Sequence, residues 1–158
     1  MPFLEKGTVD MRLLTPDVCK DKITEIDINL LNSLGVKGLI IDLDNTSGGY
    51  DDTIPPMEVV EWAKTMTAAG VSIYLLSNNS SKDRVSVYAE SMGINGNRLA
   101  MKPMTFGIRR ALRIMGFKRS EVCLVGDQIF TDVLAGKFCR MRTILVTSVE
   151  KRKKQNRE

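Results

Sequence analysis

The sequence contains no histidine. That excludes a Ser-His-Asp triad, a Cys-His pair and any histidine-ligated metal within this chain. Cysteine is scarce: Cys19, Cys123 and Cys139 lie far apart, and no CxxC pair occurs. Neither a zinc knuckle nor a disulfide framework is suggested, and small buried thiols in a reducing compartment are the expected form. Five Phe, three Tyr and one Trp make no evident stacking platform for single-stranded nucleic acid. Long apolar runs are missing as well. The longest, Gly38-Leu39-Ile40-Ile41, stops at Asp42, too short for a bilayer-spanning helix. The first residues do not follow the basic-then-apolar order of a secretory signal. Any catalysis must therefore rest on carboxylates, lysine, hydroxyls and a hard metal.

What is present suits one soluble domain: 158 residues, 43% hydrophobic and 27% charged. The formal net charge is +4. Its source is local, because Lys151, Arg152, Lys153, Lys154 and Arg157 at the end face only Glu158, and the body is near neutral. A basic tail suits an anionic membrane or RNA; a solvated, disordered terminus is the plainer reading.

Thr15-Pro16 reads as a helix start, with Thr as cap and Pro at the first helical position. Asp27 would cap a second short helix running to Leu34 and stopped by Gly35. Residues 1–37 are thus expected to form a helical leader packed on a core over 38–148, followed by a basic, disordered tail over 149–158. Within the core, short apolar strands are expected over 39–43, 71–76, 99–101, 122–125 and 143–146. Helices are expected between them, over 56–69, 83–92, 104–115 and 129–136. Val85, Tyr88, Ala89 and Met92, for example, recur at helical spacing. Strands with little polar alternation, separated by helices, indicate parallel βαβ units in a three-layer α/β domain. Ligands in such sheets bind outside the carboxyl ends of the strands.

Those ends carry the polar residues. The first core strand runs into Asp42-Leu43-Asp44-Asn45-Thr46, which places two carboxylates on one side. They repel unless a cation or proton lies between them, so Mg²⁺ is a plausible occupant; solvated turn acids are the alternative. The second strand ends in Ser77-Asn78-Asn79, a set of donors for phosphoryl oxygens or a polar turn before a helix. The third ends in Lys102-Pro103, whose ammonium can neutralise a phosphate or orient a carboxylate; alone it would pass for a surface lysine. The fourth ends in Gly126-Asp127-Gln128-Ile129-Phe130-Thr131-Asp132. Gly126 allows close backbone approach, and the two acids also suit a helix N-terminus. Each feature has a structural explanation; their meeting at one edge of one sheet favours a site.

In order and spacing, DLDNT at 42–46, SNN at 77–79, KP at 102–103 and GDQIFTD at 126–132 resemble the motifs of the haloacid dehalogenase superfamily. The resemblance covers about 40–147 and implies a Rossmann-like three-layer fold whose parallel sheet has the DxD strand at its centre. A closer resemblance is to the YqeG-type, phosphatidylglycerophosphate phosphatase-like branch. It rests on Gly35-Val36-Lys37-Gly38, on Leu14-Thr15-Pro16 and Ile23 in the leader, and on Thr131-Asp132-Val133-Leu134 after Gly-Asp-Gln. One departure is Ser47-Gly48-Gly49-Tyr50, where that branch has an apolar residue after DNT; it suggests a more mobile loop or one shaped for another substrate.

The resemblance implies roles. Asp42 is the covalent nucleophile, and Asp44 the acid and then the base. Asp42, Asp44 (through its backbone carbonyl) and Asp127 hold Mg²⁺. Ser77, Lys102 and Asn78 bind the phosphoryl oxygens, Thr46 orients the first loop, and Asp132 supports the ligands or positions their loop. The segments after Thr46 and between Ser77 and Lys102 are too short for a cap domain, so the site is expected to be open. An open site suits a phosphate displayed on something large. The leading expectation is a cytoplasmic enzyme acting on phosphatidylglycerophosphate, touching an anionic membrane peripherally through the basic tail, or its counterpart in an organelle matrix. The alternatives are a phosphatase of a soluble sugar phosphate or nucleotide, and a non-catalytic module whose tail grips RNA or a ribosomal particle.

Overall fold

The computed structural model describes residues 10–78, 81–98 and 105–158. Its strands are β1 (Val18–Lys20), β2 (Gly38–Asp42), β3 (Ser72–Ser77), β4 (Asn95–Arg98), β5 (Val122–Gly126) and β6 (Arg142–Val146). Its helices are α1 (Ile28–Leu34), α2 (Met57–Ala68), α3 (Lys82–Met92), α4 (Phe106–Met115), α5 (Leu134–Phe138) and α6 (Val149–Gln155). The strands form one sheet in the order β1-β6-β5-β2-β3-β4, and every pairing is parallel.

β2 lies between β5 and β3 and is buried along its whole length. Its alternate residues feed opposite cores. Leu39 and Ile41 join Val59, Trp62, Met66, Tyr88 and Met92 on one face. Ile40 joins Tyr74, Leu76, Ile108 and Leu124 on the other. Burying each such side chain is worth about 1.5–3 kcal/mol, so a shift of β2 by one residue would be costly. The register therefore holds Asp42, the last residue of β2, opposite Leu76 at the carboxyl edge.

The leader combines an expected helix with an unexpected strand. Asp27 caps α1 by accepting a hydrogen bond from the Leu30 N–H at 2.8 Å, and Gly35, at φ 68°, ends it. Thr15-Pro16, by contrast, opens no helix. Thr15 is extended (φ −101°, ψ 115°), as the clash before a proline favours, and closes a 3₁₀ turn over Met11–Leu14. The chain then adds β1 to the sheet edge, with Val18 opposite Ile144. Asp17 anchors that strand: its Oδ2 accepts from the Thr143 N–H at 2.8 Å and from Lys137 Nζ at 2.9 Å. On the other side of the leader, the Trp62 indole donates to the Ile26 carbonyl at 2.8 Å and ties this segment to α2.

The remaining expectations concern the later elements. The strand expected over 99–101 lies outside the described residues, and the edge strand is β4, just before it. The helix expected over 129–136 begins as a wide π-type turn, Ile129–Val133, before α5. The disordered tail is corrected to a helix, α6, with Ser148 Oγ accepting from the Lys151 N–H at 3.2 Å. The cause is tertiary: the first N–H groups of α6 donate to Asn45, Val149 to its carbonyl and Glu150 to its Oδ1, both at 3.0 Å. Among the described residues, no helix is long and apolar enough to cross a membrane.

Candidate active site

β2 delivers Asp42 to the sheet edge, where it is 8% exposed. The chain then turns tightly. The Leu43 carbonyl faces the N–H groups of Thr46, Ser47 and Gly48 at 3.3, 3.0 and 3.3 Å. Asn45 takes a left-handed conformation at φ 62°, which asparagine tolerates better than most residues. Ser47 Oγ donates to the Asp42 carbonyl at 2.7 Å and so holds the turn against the strand end. Thr46 Oγ1 stands 3.1 Å from Asp127 Oδ1 and 3.4 Å from Asp42 Oδ2. Its single proton serves one carboxylate at a time, and it links the ends of β2 and β5.

Across that link, oxygens of Asp42, Asp127 and Asp132 all lie within 4.8 Å of one another. Asp132 arrives by way of the π-type turn. Its Oδ2 accepts from the Gln128 N–H at 3.2 Å, and its own N–H donates to the Gln128 carbonyl at 2.9 Å. Gly126 makes this approach feasible: a Cβ there would stand 2.1 Å from Asp132 Cγ. Two carboxylates about 4 Å apart repel by roughly 4 kcal/mol at an effective dielectric constant of 20. Such a cluster, with Asp42 and Asp132 buried and Asp127 half-buried, attracts a cation. All its donors are hard oxygens, which fits a magnesium-class ion rather than zinc.

The Asp44 carboxylate is engaged elsewhere. Its Oδ1 pairs with the Arg84 guanidinium, and Ser77 Oγ lies 3.4 Å from its Oδ2. Of the expected ligands Asp42, Asp44 and Asp127, the structure thus gathers the first and third carboxylates and adds Asp132. Asn78 lines a small cavity of about 70 Å³ with Asp42, Asp44, Tyr50, Gln128 and Asp132. Lys102, Pro103 and Asn79 lie outside the described residues. Within the cavity, burial first, and then the charges of Asp127, Asp44 and Asp42, push the Tyr50 phenol above its ordinary range.

Sequence reasoning missed Tyr50, Gln128 and Arg84 as members of this site. Gln128 stands inside a motif and could have been included. Arg84 carried a fainter signal, one helical turn before Tyr88 on α3, where its guanidinium carbon lies 5.2 Å from the Tyr88 ring centre. Tyr50 belongs to the loop that departs from the family pattern.

A family profile described as HAD-hydrolase-like matches residues 99–158. The Bacillus subtilis protein named "Probable phosphatase YqeG" is 36% identical over 138 residues, which are 87% of this chain and 80% of that protein. The chain belongs to the haloacid dehalogenase superfamily of phosphatases. A second relative, from Arabidopsis thaliana, is named "Phosphatidylglycerophosphate phosphatase 1, chloroplastic/mitochondrial" and is 25% identical over 144 residues. The match takes in 86% of this chain but 41% of the Arabidopsis protein, so the chain spans less than half of that relative.

Solved phosphatases of this superfamily share the fold. The D,D-heptose 1,7-bisphosphate phosphatase of B. bronchiseptica, complexed with magnesium and phosphate, superposes with a TM-score of 0.59 at 16% identity, over 78% of this chain and 87% of that one. The cobalt-bound deoxy-D-mannose-octulosonate 8-phosphate phosphatase of Haemophilus influenzae gives 0.57 at 15% identity, over 72% and 69%. At such identities the likeness speaks for the haloacid dehalogenase fold alone.

Proposed function

We propose that this phosphatase is Mg²⁺-dependent, works through an aspartyl-phosphate on Asp42, and acts on a phospholipid head group, phosphatidylglycerophosphate. The observation that carries the chemistry is the cluster of Asp42, Asp127 and Asp132 at the carboxyl edge, two of them buried and Asp127 half-buried. Asp42 and Asp127, with the Asp44 carbonyl and with Asp132 beside them, would hold the ion. When bound, Mg²⁺ offsets the repulsion between an anionic nucleophile and an anionic phosphate.

In the first step, an Asp42 oxygen forms a bond to phosphorus as the ester P–O bond breaks. Asp44 gives its proton to the departing oxygen. In the second step, water attacks the phosphorus and Asp44 takes its proton. The Asp42–phosphorus bond breaks, releasing inorganic phosphate and restoring the Asp42 carboxylate and the protonated Asp44. Ser77, Lys102 and the Asn78 backbone bind the transferring oxygens. Thr46 holds Asp127 in place through its 3.1 Å hydrogen bond.

The printed name of the Arabidopsis relative supports the lipid reading. So does the surface around the site. Phe130, 71% exposed, follows Gln128, and Tyr50, 50% exposed, lies on the opposite loop. The basic helix α6 is joined to the catalytic turn through Asn45. Exposed rings and a basic helix joined to the same loop suit the boundary between water and an anionic lipid surface.

The test is phosphate release from phosphatidylglycerophosphate in mixed micelles, with and without Mg²⁺, beside a soluble ester panel and Asp42→Asn. Release from the lipid that requires Mg²⁺ and is abolished in Asp42→Asn is expected. Release from soluble esters alone would keep the chemistry and discard the lipid. Full activity of Asp42→Asn would overturn the mechanism.

A further inference from the structure

We infer that Arg84 is the positioning residue for Asp44: its guanidinium holds the proton-transferring carboxylate and closes the loop that follows it. The inference rests on the acid and base role given to Asp44 above.

Arg84 lies in the first turn of α3, just after the Ser77-Asn78 strand end, and its own N–H donates to the capping Ser81 Oγ at 3.2 Å. All three guanidinium nitrogens reach the segment 44–52. Nη1 pairs with Asp44 Oδ1. Nη2 donates to the Gly49 carbonyl at 2.6 Å, and Nε to the Asp52 carbonyl at 3.1 Å. A planar fork can bind three acceptors in fixed directions; a lysine ammonium on a flexible stem cannot reproduce that. The pair is sheltered, with the Arg84 side chain 17% exposed and that of Asp44 13%, so water and salt screen it little.

The loop is built to receive this side chain. Tyr88 lies beneath the guanidinium and donates its hydroxyl to the same Asp52 carbonyl at 3.1 Å. A Cβ on Gly48 would stand 2.2 Å from that hydroxyl. The Ser-Gly-Gly-Tyr departure from the family pattern is therefore the space in which α3 grips the catalytic loop. Hydrogen bonds from Arg84 and Tyr88 tie this turn to α3. For a general acid the grip has a chemical consequence, because the carboxyl group must meet the leaving oxygen as the ester bond breaks. Misplacement by about 1 Å can cost on the order of 10²-fold in rate.

The experiment compares two soluble aryl esters. The leaving group of phenyl phosphate needs a proton; that of 2,4-dinitrophenyl phosphate departs as a stable anion. The kcat/KM ratio of the two is measured for the wild type, Arg84→Ala, Arg84→Lys and Asp44→Asn. The ratio is independent of how much of a preparation is folded. Expected is a fall of at least about tenfold in the phenyl-to-dinitrophenyl ratio for Arg84→Ala, in the same direction as Asp44→Asn, with Arg84→Lys intermediate. A double variant, Arg84→Ala with Asp44→Asn, should fall no further than Asp44→Asn alone. An unchanged ratio in Arg84→Ala, including equal loss on both esters, while Asp44→Asn shifts it, would overturn the inference and leave the acid role standing. An unchanged ratio in Asp44→Asn would remove the acid role itself, and the inference with it.

Discussion

At the residue scale, the site depends on close approaches that side chains would block. Gly126 is the sharpest case, because the Asp132 carboxyl carbon lies only 2.1 Å from where its Cβ would stand. Gly126→Ala must push Asp132 away from Asp42 and Asp127. The expected result is a loss of about 1–3 kcal/mol in stability from overpacking, read by denaturant melts. On the proposed mechanism, magnesium-dependent turnover should fall on the order of 10²-fold, because a carboxylate displaced by an ångström would no longer support the ion site. Asp42, Asp127 and Asp132 could be placed at one sheet edge from the sequence because they stand at or soon after the ends of β2 and β5, where a parallel sheet brings its strand ends together. The partner of Asp44 could not. Arg84 acts across 40 positions, and only the packing of α3 beside the catalytic loop brings it there.

At the element scale, the legible features were the local ones. Asp27 and Gly35 bound α1 as their cap chemistry requires, because a cap is satisfied within its own helix turn. Thr15-Pro16 misled for the complementary reason: the hydrogen bonds that make β1 a strand come from β6, over a hundred residues away. Asp17 carries that junction. Burial alone would raise its carboxyl, but Lys137 and the Thr143 N–H outweigh this and hold it below the usual carboxylate range. Protons therefore bind the unfolded chain first. The contribution to stability is complete above about pH 4, the unfolded value, and is lost as pH falls through the lower folded one. Asp17→Asn should cost about 1 kcal/mol at neutral pH, since Asp17 is partly solvated, and the difference should vanish in acid. Urea melts at a series of pH values would show it.

At the scale of the whole molecule, the excess positive charge is held against the catalytic edge by α6, through Asn45 and through Lys153, whose Nζ lies 3.9 Å from Asp52. If that edge meets an anionic surface, binding to phosphatidylglycerol-containing vesicles should be firm at low salt and weaken as added salt shortens the Debye length. Phe130→Asp should lower it further at every salt concentration, read by co-sedimentation. Binding unaffected by both changes would remove the membrane from the proposal. The parallel α/β sheet and the acidic strand ends followed from the sequence by itself, whereas the central place of the DxD strand was implied by the family resemblance. Apolar runs of strand length must be covered on both faces, and polar residues are then confined to the ends. Tertiary structure alone decided which carboxylates gather, that Arg84 holds Asp44, that the leader lends a strand to the sheet and that the basic tail is a helix. Each of these depends on a partner distant in the chain, and the free energy of such a contact exists only once the fold has brought the two ends together.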